Sequence, residues 1–236
     1  MERIASTDYR NMLLASLPAS DIARLAPHLS LVDLPRNQTL QEPGKPVETV
    51  YFLEDGICSI VTTLADGVMV EAGIIGRDGF VGLPAVLHTG QSPNRCFMQI
   101  PGYGFRVRGT VLAEQSEASA TLRLRLMQST QGLLAQTAQT AACNRVHDLH
   151  QRLARWLSMC RDRVQVDCVA ITQELLATML GTRRSSVTVA ARKLQQAGLI
   201  TYTRGHVTVE DRAALRHAAC ECYQVVHDEY IRLGLL

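Results

Sequence analysis

Residues 171–209 read ITQELLATMLGTRRSSVTVAARKLQQAGLITYTRGHVTV, and the organisation of the chain follows from this stretch. It predicts a helix, a tight turn, a second helix and a β-hairpin. Thr172 is a good N-cap, and Glu174 lies in the first turn, where the helix dipole favours a negative charge. Leu175, Leu176, Met179 and Leu180 recur at helical spacing as one apolar stripe. Gly181 ends this helix, because glycine takes the left-handed conformation without penalty. The second helix is expected from Thr182 or Arg183 to about Gln196, with Gly198 as its stop signal.

The second helix carries two unlike faces. Val187, Ala190, Ala191 and Leu194 point to a core, while Arg184, Ser185, Thr188, Val189 and Arg192 point away from it. Arginine forks onto guanine, hydroxyls donate or accept, and a methyl packs on thymine, so the outward face suits the edges of base pairs. Strands at Leu199–Thr203 and His206–Val209 flank Arg204-Gly205 and form a wing. Thr203, Arg204 and His206 are expected at phosphates. Between Ile171 and His206 five Lys/Arg face one acid, Glu174, whereas the whole chain is only +2. Positive charge is thus concentrated where nucleic acid would lie. The bland alternative is a solvated pair of helices in an ordinary helical protein.

The run T-Q-E-L-L-A-x-M-L-G-T-x-R-x-S-V-x-x-A-x-x-x-L-x-x-A-G-L-I resembles the winged helix-turn-helix of the CRP/FNR family of bacterial transcription regulators. The resemblance implies a homodimer that binds double-stranded DNA, with RNA polymerase as a further partner. It implies DNA contacts from Thr172, Thr182, Arg183, Arg184, Ser185, Ser186, Thr188, Val189, Arg192, Thr203, Arg204 and His206. Arg184 stands where the family has its base-reading arginine. Ser185 and Val189 replace the glutamate and arginine common there, so the operator is expected to differ from the best-known family site.

The 236 residues, 47% hydrophobic and 19% charged, fit an ordinary globular chain of two small domains. No apolar run approaches the ~18 residues of a membrane helix, and the first residues lack a secretory pattern, so a cytoplasmic protein without membrane partners is expected. The seven cysteines are an odd number and scattered, which argues against a disulfide scaffold. None precedes Cys58, so the N-terminal cysteine cluster of the family's iron–sulfur branch is missing. Cys220 and Cys222, two residues apart on a helix, are expected on opposite sides, as packing residues.

Residues 6–29 predict two short helices broken at Leu17-Pro18, the second capped by Ser20 or Asp21. From about Ser30 to Arg108 the pattern is that of short strands. A strand at 49–53 should end in an Asp55-Gly56 turn, and strands at 58–64 and 68–75 should pair across Ala65-Asp66-Gly67. The result is a jelly-roll-like antiparallel unit. The stretch PVETVYFLEDGICS at residues 46–59 resembles the cyclic-nucleotide-binding domain of the same family. Family members that bind nucleotide carry F-x-G-E-L followed by R-[ST]-A. Here Phe80-Val81-Gly82-Leu83-Pro84 precedes Arg95-Cys96-Phe97. Leu83 replaces the glutamate that takes the ribose hydroxyl, and Pro84 has no N–H to donate. A ribose hydroxyl left unpaired costs on the order of 1–3 kcal/mol, which argues against cyclic AMP or cyclic GMP. An unknown small-molecule effector is expected at Gly82, Leu83, Arg95, Cys96, Thr137 and Thr140, with no cofactor identified.

Residues 111–119 predict a short helix and 120–145 a long one, ~39 Å at 1.5 Å per residue. Leu122, Leu126, Ser129, Leu133, Gln136, Thr140 and Cys143 repeat by fours and threes, as a dimer seam does. The competing reading is a helix that merely covers the barrel. Residues 144–148 are the expected hinge, followed by a helix to about Arg163. Cys143, His147 and His150 would share one face of a continuous helix, but three ligands in line lack a fourth, and no metal is expected. A last helix should begin at Glu210-Asp211, carry Leu215, Ala219, Cys222, Val226 and Tyr230 on one stripe, and pack on the winged unit.

The expected class is α+β. Residues 1–119 form a cyclic-nucleotide-binding-like jelly-roll, 120–145 a dimerisation helix and 146–236 a winged helix-turn-helix with a C-terminal helix. The expected function is sequence-specific DNA binding in transcription regulation. A sensor or regulatory subunit without DNA binding is the alternative. An enzyme is not expected, since G-x-S-x-G, H-E-x-x-H and a phosphate loop are all missing.

Overall fold

The structure, a computed structural model, describes residues 9–164 and 167–236. Residues 6–8 of the expected first helix lie outside the described residues. The chain begins with α1 (Met12–Ala15), α2 (Ala19–Leu25) and a 3-10 turn at Ala26–His28. Then come β1 (Ser30–Leu34), β2 (Thr39–Gln41), β3 (Thr49–Thr63), β4 (Met69–Ile75), β5 (Phe80–Val81), α3 (Leu83–Val86) and β6 (Arg95–Arg108). The helices α4 (Gly109–Ala118), α5 (Ala120–Val146) and α6 (Leu149–Val164) lead to the C-terminal unit. That unit contains β7 (Cys168–Ala170), α7 (Gln173–Met179), α8 (Arg184–Gln196), β8 (Ile200–Thr203), β9 (His206–Val209), α9 (Arg212–Ala218) and α10 (Glu221–Arg232).

The sensor-like unit is an antiparallel sheet in the order β1-β6-β3-β4, with β2 paired to β6 and β5 to β3. Its axis is the pairing of β3 with β6, from Thr49 opposite Arg108 to Val61 opposite Arg95. The expected turn at Asp55-Gly56 is instead a set of bulges through which β3 continues. Gly56 adopts φ +87°, and a Cβ there would lie 2.7 Å from the Ile100 carbonyl oxygen. Only glycine lets the two long strands cross this closely while the sheet bends. The helix α2 is not capped by Ser20 or Asp21: Pro18 holds the N-cap, and Asp21 instead accepts from Ser119 Oγ at 2.6 Å and pairs with Arg24.

The heptad of α5 faces inward. Leu122, Leu126, Ser129, Gln136 and Cys143 are buried against the chain's own body, so the expected dimer seam is an intrachain one. Gln136 is fully buried; it accepts from the Ile74 N–H at 2.8 Å and donates to the Ile74 carbonyl at 3.0 Å and the Tyr230 hydroxyl at 2.9 Å. The C-terminal segment is two helices, not one, broken at Ala219-Cys220. α9 packs on α6, whereas α10 lies mainly along α5 rather than on the winged unit.

The winged unit docks on the barrel. Ile57 and Ile74 of the barrel join one apolar core with Leu153, Leu157, Leu176, Val187 and Leu194. The buried Arg163 of α6 meets Asp78 of the β4–β5 turn at 2.6 Å and lies over the Tyr230 ring at 5.1 Å. Glu71 of β4 is buried, accepting from Trp156 Nε1 of α6 at 2.7 Å and meeting Ser59 Oγ at 2.7 Å. Among the described residues no helix is long and apolar enough to cross a membrane.

Burial pushes the Glu71 carboxyl up to about 7, against the opposing pull of the Ser59 and Trp156 hydrogen bonds. Because this folded value exceeds the unfolded one, the stabilisation is complete below about pH 4 and is lost as pH rises through 7. Denaturant melts should therefore lose on the order of 3 kcal/mol between pH 5 and pH 8.5. Glu71→Gln should flatten that slope.

Candidate nucleic-acid interface

The helix-turn-helix is built by local signals. Thr172 Oγ1 accepts the Leu175 N–H at 3.2 Å and caps α7. Leu180 closes the helix, and Gly181 turns the chain with φ +57°. α8 then starts at Arg184, with Arg183 at its N-cap. Val187, Ala190, Ala191 and Leu194 are buried, as the sequence requires. Arg183, Arg184, Ser185, Val189 and Arg192 are exposed, while Thr182, Ser186 and Thr188 are half-buried. Val189 is 70% exposed, an apolar side chain on an otherwise polar and basic face.

Two contacts orient this face. Arg184 pairs with Glu174 at 2.9 Å, both side chains more than half exposed. Such a pair is worth about 0–1 kcal/mol, so a stronger acceptor can recruit the guanidinium at little cost. Thr188 donates to Gln173 Oε1 at 2.8 Å and so links α8 to the start of α7. The wing turns at Arg204 (φ +50°) and Gly205 (φ +79°), and Thr203 pairs with His206 across it. Two successive positive φ values make the tight turn that matches strand twist. Thr203, Arg204 and His206 are exposed at its tip, and Thr172 is exposed next to Gly205. The sequence did not reveal β7, which adds a third strand beside β9. A three-residue strand without a flanking turn signature leaves almost no pattern to read.

α6 carries this unit. Arg152 donates to the Leu180 carbonyl at the end of α7 and to Asn144 Oδ1 of α5 at 2.8 Å, bridging the hinge. Lys193 meets His150 of α6 at 3.0 Å. The β3–β4 hairpin tip, at Gly67, Val68 and Met69, lines a groove with Gly181, Thr182, Arg183 and Ser186.

A second cavity, of about 240 Å³, lies in the barrel beneath α5. Gly82, Leu83, Pro84, Cys96 and Leu133 line it, with Gln41 and Asn94 among its polar groups, and none of its lining residues is charged. Arg95 is outside the lining: it bonds Thr39 Oγ1 at 2.7 Å and stacks over Phe97 at 5.3 Å. Thr137 and Thr140 also lie outside it, their hydroxyls bonded to the carbonyls of Leu133 and Gln136.

Residues 151–218 match the family model of the Crp-like helix-turn-helix domain, and residues 31–102 that of the cyclic nucleotide-binding domain. A global nitrogen regulator from Synechocystis sp. is 22% identical over 191 residues, 76% of this chain and 84% of that protein. The fold is shared with FixK2 from Bradyrhizobium japonicum, at a TM-score of 0.70 and 16% identity over 81% of this chain and 98% of that one. It is shared too with a CRP-family transcriptional regulator from Thermus thermophilus, at a TM-score of 0.65 and 20% identity over 80% of this chain and 96% of that one. With a sensor-type barrel and a Crp-like DNA-binding unit joined in this order on one chain, the protein belongs to the CRP/FNR family of transcription regulators.

Proposed function

We propose that the chain works as a homodimer in which each α8 enters a major groove and reads base edges with Arg184, Ser185, Thr188, Val189 and Arg192. Thr172, Thr182, Arg183, Ser186, Thr203, Arg204 and His206 hold the flanking phosphates. One observation carries the reading: in α8 every apolar side chain but Val189 is packed inward, and what remains outside is basic, hydroxylic or, in the last turn, amide. Val189 then contributes methyl contacts rather than an uncompensated exposed surface. The half-sites lie about one helical turn apart, ~34 Å.

The second copy packs on the outer face of α5. Leu124, Met127 and Leu134 are exposed there at 54%, 63% and 63%. With Gln131, Ala138 and Ala141 they repeat by threes and fours, on the side of the helix opposite the buried seam. The effector, if the barrel takes one, is a small molecule without phosphate, because the cavity offers no cation to neutralise it. RNA polymerase is the further partner, and the cytoplasm the site of action.

Selection of bound duplexes from a random pool should return a pseudo-palindrome. Random recovery at low salt would refute the assignment. On the selected site, Arg184→Ala should weaken binding by ~1–3 kcal/mol and relax preference at one base position. Arg204→Ala should weaken specific and scrambled DNA alike and lower the salt slope by about 1. Leu134→Glu should convert the dimer to monomers in sedimentation while leaving the helical circular-dichroism signal intact.

A further inference from the structure

The hinge gathers a set of side chains that DNA binding does not use. Cys143 lies in the last turn of α5, His147 caps that helix in an extended conformation, Cys220 is the N-cap of α10, and Cys222 follows in its first turn. Helical spacing alone would put Cys220 and Cys222 on opposite sides. Cys220, at φ −73° and ψ 165°, is outside the helix, and both sulfurs turn to one point. The helix also stops before His150, which leaves this group and turns to Lys193.

We propose that Cys143, His147, Cys220 and Cys222 bind one zinc ion that staples the end of α5 to the start of α10. Their four donor atoms all lie within 4.8 Å of one another. Cys143 Sγ is 3.4 Å from Cys220 Sγ, and Cys222 Sγ is 3.5 Å from His147 Nδ1. Tetrahedral zinc, with Zn–S of about 2.3 Å and Zn–N of about 2.0 Å, spaces its donors ~3.4–3.8 Å apart, so a contraction of about 1 Å across the farthest pair completes the shell. The outer contacts match. His147 presents Nδ1 to the sulfurs while Nε2 meets the Glu221 carboxylate at 3.1 Å, the arrangement that fixes the tautomer of a metal-bound histidine. Gln139 Nε2 donates to Cys222 Sγ at 3.2 Å.

Binding exchanges three thiol protons for one divalent ion and leaves the shell with one negative charge. Arg152 and Arg155 face Cys143 and offset it. Buried cysteines also serve as small apolar packing groups. Packing alone gives no reason for an imidazole nitrogen aimed into the sulfurs and backed by a carboxylate. An iron–sulfur cluster is disfavoured because its ligands must span several irons, and these donors are too close together. The ion would fix the direction in which the chain leaves α5, and with it the placement of α6 and the winged unit.

The test loads the full reduced chain with zinc chloride, removes free metal by gel filtration and measures metal by elemental analysis. About one zinc per chain is expected. Cys220→Ser and Cys222→Ser should lose it, while Cys168→Ser, at an exposed cysteine, and His150→Ala should keep it. A variant that fails to fold is covered by cobalt(II) loading of the unaltered chain. Tetrahedral ligand-field bands with thiolate-to-cobalt charge transfer support the site. Less than half a zinc per chain, an octahedral cobalt spectrum, or a Cys143–Cys220 disulfide in chain purified with zinc overturns it.

Discussion

The fold depends on how one exposed strand edge is closed. β4 is the last strand of the barrel sheet, and the backbone N–H and carbonyl of Ile74 have no further strand to pair with. Gln136 supplies the missing partner, using its side-chain amide as a substitute peptide group. An unpaired edge costs stability and invites aggregation, and a buried amide with both ends bonded removes both problems. The same amide bonds Tyr230 of α10, whose ring lies under Arg163 of α6, which in turn pairs with Asp78 beyond the end of β4. A long helix, a C-terminal helix and the carrier of the DNA-binding unit are thereby indexed to one strand.

The parts of the chain that were legible in the sequence are those set by neighbours within a few residues. Thr172, Gly181 and Arg204-Gly205 each fix a local backbone state, and the winged unit follows from them. The parts that were not legible are set by partners far along the chain. The fours-and-threes repeat of α5 was correct as periodicity, but periodicity does not say which stripe meets a second copy. Two stripes of α5 share the spacing, and the one with Leu122 and Leu126 is claimed by the barrel and α10. The polar residues Ser129 and Gln136 on that stripe are the signal that was available, since they sit poorly in a seam and well against a strand edge.

The barrel cavity shows the same limit. Gly82 and Leu83 line it at the junction of the short β5 and α3, and Cys96 lines it from β6. Arg95 is on the same strand as Cys96 but points to the opposite face, since successive side chains alternate. Its guanidinium is taken by Thr39 and Phe97. The departure of Leu83 from a glutamate and the turning away of Arg95 act together: the cavity lining holds neither a carboxylate nor a cation.

Several of the contacts that join the barrel to the DNA-binding unit and to α5 start on β4. A Cβ placed on Gly181 would meet the Val70 methyls at 3.5 Å, Glu71 holds Trp156, and Ile74 holds Gln136. A small rotation of β4 would therefore move the helix-turn-helix turn, α6 and α5 at once, and packed contacts of this kind switch between discrete arrangements rather than deform smoothly. A small molecule in the barrel cavity would touch Ile75 of β4 and Leu133 of α5. It can bias the equilibrium only by binding one spacing of β4 and α5 more tightly than the other. With no charged group in the lining, shape and hydrogen bonding to groups such as Gln41 and Asn94, rather than charge, are what would discriminate between the two spacings.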